Sequence, residues 1–114
     1  MPERDVPAVE AAEGHALVEE GAFLLDVREP DEWEAGHAPA AVHVPMKEVQ
    51  ARQAELPNDR RIVAVCRSGG RSAAVAEALN AWGFDAVNLA GGLHAWEAAG
   101  LPVVTDAGSP GTVA

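Results

Sequence analysis

At 114 residues, 48% of them hydrophobic and 23% charged, the chain makes one domain around one core and not two. A formal net charge of −10 argues against nucleic acid as a partner, since phosphate binding needs a positive field, and no apolar run is long enough to span a membrane. The single cysteine, Cys66, excludes an intrachain disulfide and a four-thiolate metal site; with no apolar leader after the first methionine, the expectation is a cytoplasmic protein with one free thiol.

In chain order, residues 9–20 read as an amphipathic helix with Val9, Ala12, Ala16 and Leu17 on one face, stopped by Gly21. Phe23-Leu24-Leu25-Asp26-Val27 is a short apolar run of the kind buried on both faces of a sheet. Pro30, with acids after it and Gly36 closing the stretch, predicts a short helix over 30–35. A brief strand at 42–44 ends at Pro45, and the composition of 46–56 predicts a further helix. Ile62-Val63-Ala64-Val65, largely β-branched and unbroken, is the strongest strand. It runs into Cys66-Arg67-Ser68-Gly69-Gly70-Arg71 and then a helix over 72–82. A strand at 86–89, a helix at 93–99 and an edge strand at Val103-Val104 complete the pattern. The last ten residues, 105–114, are small or turn-forming and predict a disordered tail. Strands alternating with helices imply an α/β domain with a mainly parallel central sheet flanked by helices.

Ligands of such sheets bind beyond the carboxyl ends of the strands, where Asp26-Val27-Arg28 and the loop from Cys66 to Arg71 fall. A lone cysteine after a valine-rich strand is, taken alone, a packing residue. The loop argues otherwise. Gly69 and Gly70 let successive N–H groups turn inward around one atom, and the next helix adds its unpaired N–H groups and positive dipole end. A thiolate in that cradle has a lowered pKa, so Cys66 reads as a nucleophile. Arg67 and Arg71 set a small cationic mouth in an acidic chain, suited to an anionic group, whereas Arg60 and Arg61 belong to the far end of the strand. The loop lacks the Lys of a nucleotide-binding P-loop, and Arg71 falls one position short of the spacing a phosphatase loop needs.

These residues resemble the rhodanese family of sulfurtransferases. Asp26-Val27-Arg28-Glu29, Glu32-Trp33 and Gly36-His37 resemble its N-terminal signature; Cys66-Arg67-Ser68-Gly69-Gly70-Arg71-Ser72 resembles its active-site loop; Gly91-Gly92-Leu93 with Trp96 resembles its C-terminal signature. Ala38 and Ala40 depart from the usual Ile and Gly, at positions that bear on packing. The resemblance implies a single rhodanese-like domain over 1–104 and a thiosulfate- or persulfide-using sulfurtransferase. In it Cys66 is the catalytic residue, carrying sulfur as a persulfide to a thiol or to cyanide. Arg67, Ser68, Gly69, Gly70 and Arg71 would bind the substrate, and Asp26 would be architectural, bonded to Arg28 and nearby backbone. It implies no metal and no organic cofactor. Its partners would be a small anionic sulfur donor and a thiol acceptor, a protein acceptor included, with no nucleic acid and no membrane. The alternative is a sulfur-carrier or partner-binding module of the same family without turnover of its own. Trp33, Trp82 and Trp96 read as core plugs or helix-end covers. None of His15, His37, His43 and His94 has ligand spacing, and His37 reads as a structural hydrogen-bonder.

Overall fold

Successive side chains of a strand alternate between faces, so a strand apolar at every position belongs where both faces are covered. In the computed structural model, which describes residues 6–114, that is the place of Ile62–Val65, every residue of which is buried. The strands are β1 (Ala8–Val9), β2 (Phe23–Asp26), β3 (Val42–His43), β4 (Ile62–Val65) and β5 (Ala86–Leu89). They form one parallel sheet in the order β1-β5-β4-β2-β3, with Leu24 opposite Val63 and Val63 opposite Val87. The helices are α1 (Ala11–Glu19), α2 (Pro30–Ala35), α3 (Gly70–Ala81) and α4 (Gly92–Ala98). None of these is long and apolar enough to cross a membrane.

The alternation along β4 divides the core. Ile62, Ala64 and then Cys66 point into one cluster with Val75, Ala76 and Leu79 of α3; Val63 and Val65 point into the other with Leu93 and Trp96 of α4. The Cys66 sulfur thus lies on the α3 face.

Several expectations are corrected. The first helix begins two residues later than the periodicity suggests, because Val9 belongs to β1, held by Asn88 N–H on Pro7 O (2.9 Å) and Ala90 N–H on Val9 O (2.8 Å). Its buried face is Ala11 and Gly14, with Ala12 and Ala16 exposed. Gly14 lies so close to Leu89 that a Cβ there would overlap the leucine side chain. Residues 46–56 are not one helix but two 3₁₀ turns, Met46–Glu48 and Gln53–Glu55. Only Val49 and Leu56 are buried in this stretch, too little apolar anchorage to hold a continuous helix. Val104 joins no sheet; it forms an isolated antiparallel bridge with His37, two hydrogen bonds of 2.8 Å. Beyond it the segment expected to be a disordered tail turns back on the domain: Gly111 N–H reaches Val103 O and Thr112 N–H reaches Ala35 O, both 2.9 Å.

Candidate active site

The loop after β4 is shaped by where its backbone must go. Gly69 has φ of 108°, a left-handed conformation that side chains oppose, and α3 starts at the next residue. This reversal turns the Gly69 N–H onto Cys66 Sγ (3.1 Å), and the first turn of α3 adds the Ser72 N–H (3.4 Å). The Ser72 hydroxyl lies 3.3 Å from the same sulfur. Outside the loop, Leu93 N–H donates to Cys66 O (2.8 Å) and His94 N–H to Arg67 O (3.1 Å), so α4 is stitched to the loop's back. That approach explains Gly92: a Cβ there would stand 2.5 Å from Cys66 O and 2.6 Å from Arg67 O.

Cys66 is 1% exposed. Burial pushes its thiol up, but the Ser72 hydroxyl and the N–H groups of Ser72, Gly69 and Ser68 outweigh burial, and the pKa comes out below the ordinary thiol value. The hydrogen bonds of the cradle favour the thiolate, the form in which a cysteine acts as a nucleophile.

Of the residues singled out in the loop, Gly69 holds the turn, Gly70 opens α3, and Ser68 is exposed with its N–H contributing to the cradle. Arg67 is exposed and makes no ion pair among the described residues. Arg71 is engaged: its Nη1 and Nη2 grip Glu32 Oε1 (2.7 Å) and Oε2 (2.9 Å). The Arg71 guanidinium brings the Glu32 carboxyl down to about 2, against an upward push from burial and with help from the Glu29 N–H. Glu32 in turn raises Arg71, and the Cys66 thiolate adds to that pull.

Two further residues complete the site. Asn88, on β5, receives a hydrogen bond from the Ser72 hydroxyl (2.6 Å) and donates one to Gly69 O (3.2 Å). Ser72, one position past the Cys-to-Arg interval, donates its N–H to the sulfur (3.4 Å) and sets its hydroxyl 3.3 Å from it. The signal for Asn88 is a polar side chain in an otherwise apolar strand, and for Glu32 its place in the N-terminal signature.

Beside β4, Asp26 and Arg28 form a fully buried pair, with Nε to Oδ1 at 2.9 Å and Nη2 to Oδ2 at 2.8 Å. Arg28 Nη2 also donates to Gly36 O (2.8 Å). A cleft of about 500 Å³ adjoins the loop at Arg71; Val27 and Val75 line it, together with exposed Met46 and Trp82. Trp82 is therefore no core plug: it caps α3 at the cleft wall, whereas Trp96 is 2% exposed. His37 is a structural hydrogen-bonder, its Nδ1 2.9 Å from Trp33 O and its ring stacked on the indole. The described residues hold no cluster of side chains that suits a metal ion.

A cysteine cradled by backbone N–H groups where a parallel strand meets a helix defines a class of thiol-based α/β domains. The chain belongs to the rhodanese-like domain family, whose sequence pattern matches residues 10–99. It is 42% identical over 79 residues to a putative sulfurtransferase of Bacillus subtilis, covering 69% of this chain and 77% of that one. It is 41% identical over 90 residues to a sulfurtransferase of Allochromatium vinosum, covering 78% and 84%. Among solved structures, a rhodanese-related protein from Thermoplasma volcanium superposes with a TM-score of 0.82 at 31% identity, over 88% of this chain and 99% of that one.

Proposed function

We propose that the chain is a sulfurtransferase that takes a sulfane sulfur from thiosulfate or a low-molecular-weight persulfide onto Cys66 and passes it to a thiol, or to cyanide. The Cys66 thiolate attacks the outer sulfur of the donor, and a Cys66 Sγ–S bond forms as the donor's S–S bond breaks. The electron pair of that bond leaves with sulfite or with the donor thiolate. Cys66 is then a persulfide whose terminal sulfur carries the charge. An acceptor thiolate attacks that terminal sulfur, the Sγ–S bond breaks, and the Cys66 thiolate returns to the cradle.

One observation carries the reading: the N–H groups of Gly69 and Ser72 and the Ser72 hydroxyl oxygen converge within 3.1–3.4 Å of a single buried sulfur at the end of β4. The N–H groups of residues 67–71 are the natural partners of the persulfide anion, as donors aimed where charge develops. Arg67, which makes no ion pair among the described residues, is the cation that meets an anionic donor first; Arg71 does so by sharing its guanidinium with Glu32. The cleft beyond Arg71 suits the organic body of a thiol co-substrate.

The test is intact mass after incubation with thiosulfate or a persulfide donor. One added sulfur on Cys66, lost on treatment with cyanide and absent from Cys66→Ser, is the expected result. A wild-type mass unchanged by every donor removes the proposal. A stable persulfide that small thiols fail to discharge would replace an enzyme with a carrier.

A further inference from the structure

The hydrogen bonds around Ser72 contain one proton too few. Gly69 O is an acceptor only, so the Asn88 group 3.2 Å from it is Nδ2, and Oδ1 faces Ser72. Oδ1 is likewise an acceptor only, and its 2.6 Å contact with Ser72 Oγ needs the hydroxyl proton. The same hydroxyl lies 3.3 Å from Cys66 Sγ, and it has no second proton to give. The contact at sulfur therefore carries the sulfur's own proton, S–H to Oγ, as long as the hydroxyl points to Asn88. Once the thiol ionises, Sγ has nothing to donate, and the hydroxyl turns to it and releases Oδ1.

We propose that Asn88 is a positioning residue that acts through the Ser72 hydroxyl, holding it off the sulfur while Cys66 is a thiol or carries sulfur and yielding it when Cys66 is a thiolate. Ser72 is fully buried and Asn88 is 8% exposed, so water does not stand in for either partner. On ionisation the thiol proton goes to solvent; on sulfur loading the charge moves to the terminal atom, Sγ becomes neutral, and the hydroxyl returns to Asn88. Asn88 thus makes release of the hydroxyl to sulfur cost one hydrogen bond, and the loop alternates between two hydrogen-bond patterns through each cycle. The role rests on the sulfur-transfer reading only in taking the Cys66 thiolate as the reacting form.

The titratable and charged groups on the surrounding elements are Arg67 at the loop, Arg71 and Glu77 of α3, His94 and Glu97 of α4, Glu32 of α2, and the paired Asp26 and Arg28 beside β2. The neighbouring β1 and β4 carry none. Among the described residues, the Asn88 side chain hydrogen-bonds to Ser72 and Gly69 and to none of these groups. The test is the pH midpoint of Cys66 alkylation, in the full chain. In Asn88→Leu, similar in shape but without the acceptor, the midpoint falls by about half to one pH unit, the worth of one neutral hydrogen bond no longer given up. In Ser72→Ala it rises, and adding Asn88→Leu to Ser72→Ala moves it no further. A midpoint that is unchanged or raised in Asn88→Leu overturns the proposal, and so does the same fall in both backgrounds, which would mark a general loosening of the loop. Should Asn88→Leu fail to fold, the Asn88 side-chain carbonyl resonance answers in its place. It moves through the Cys66 midpoint in the wild type and stays still in Ser72→Ala; a resonance indifferent to the midpoint counts against the rotor. Alkylation needs no sulfur donor, so a Cys66 that accepts sulfur from nothing would end the sulfurtransferase reading and leave this one standing.

Discussion

Two neighbouring strands end at the same edge of the sheet, and the segments that continue from them are opposite in kind. After β2 the chain places a full ion pair, Asp26 with Arg28, out of contact with water. The carboxylate accepts four hydrogen bonds from Arg28, and the guanidinium spends a fifth on Gly36 O, leaving Nη1 without a partner among the described residues. After β4 the chain places one sulfur among donors that outnumber it. Charge matched by charge inside the protein has nothing left to offer a substrate and serves to fix the turn into α2. Donors gathered around one ionisable atom are a site for whatever charge that atom acquires. An ion pair joins the two regions, Glu32 from the β2 side taking Arg71 from the β4 side.

The largest effect should come from breaking the β2 side. Arg28→Ala leaves Asp26 charged, buried and alone, at a cost of about 3–5 kcal/mol, which is comparable with the whole stability of a small domain. Urea denaturation should show the loss, and sulfur transfer should fall only in step with the unfolded fraction. If Arg28→Ala folds with wild-type stability yet loses transfer, the division between scaffold and site is wrong. Next comes Gly92→Ala, which sets a methyl against the carbonyls of Cys66 and Arg67 at a φ of 60°. The strained backbone alone costs about 1–3 kcal/mol. Here transfer should fall further than stability does, because the carbonyl displaced is that of Cys66, the proposed nucleophile. Equal stability and transfer rate to the wild type would show that α4 does not hold the loop.

The parts of this architecture legible in the sequence are those whose cause is local. Phe23–Asp26, Ile62–Val65 and Ala86–Leu89 are apolar runs of strand length, and each became a strand. The Cys66 loop was legible because its glycines and the start of α3 lie within a few residues of the sulfur. The features that escaped depend on partners far along the chain. β1 is two residues long and exists because β5 pairs with it. Asn88 meets Ser72 across 16 positions, and Arg71 meets Glu32 across 39. The loop's arginine looked like a cation awaiting an anion; nothing within the loop reveals that an internal carboxylate already holds it. The Asp26–Arg28 pair, two residues apart, was expected and is present.

The Glu32–Arg71 bridge sharpens the comparison, since it is where scaffold limits site. Glu32→Gln keeps the shape and removes the charge, leaving Arg71 for the donor. The Michaelis constant for thiosulfate should fall several-fold with little change in the rate of discharge to a thiol. An unchanged constant would mean that Arg67 alone receives the donor. The bridge also has a signature in acid. Glu32 is ordinarily protonated below about 4.5 and in the fold stays ionised to about 2. A carboxyl whose folded pKa is depressed adds stability above its unfolded pKa and loses it as pH falls toward the folded one. Arg71 is 36% exposed at its side chain, so solvent screening brings the contribution down to about 1 kcal/mol. Wild type minus Glu32→Gln should therefore show that difference above pH 4.5 and lose it progressively toward pH 2.

The smallest effect belongs to the other end of β4. Arg61 pairs with Asp85 at 3.3 Å, with side chains 45% and 63% exposed, at the edge of the sheet away from Cys66. An exposed pair of this kind contributes about 0–1 kcal/mol, most of it screened by salt. Arg61→Ala should leave both the alkylation midpoint of Cys66 and the transfer rate at wild-type values, and shift urea stability by no more than about 0.5 kcal/mol. The substitution removes one positive charge from an acidic protein, the same change in net charge as Arg71→Ala, which should slow sulfur uptake from an anionic donor. If the two variants slow uptake equally, the donor is steered by the global field and the cationic mouth has no role; if only Arg71→Ala does, placement at the loop matters and net charge does not.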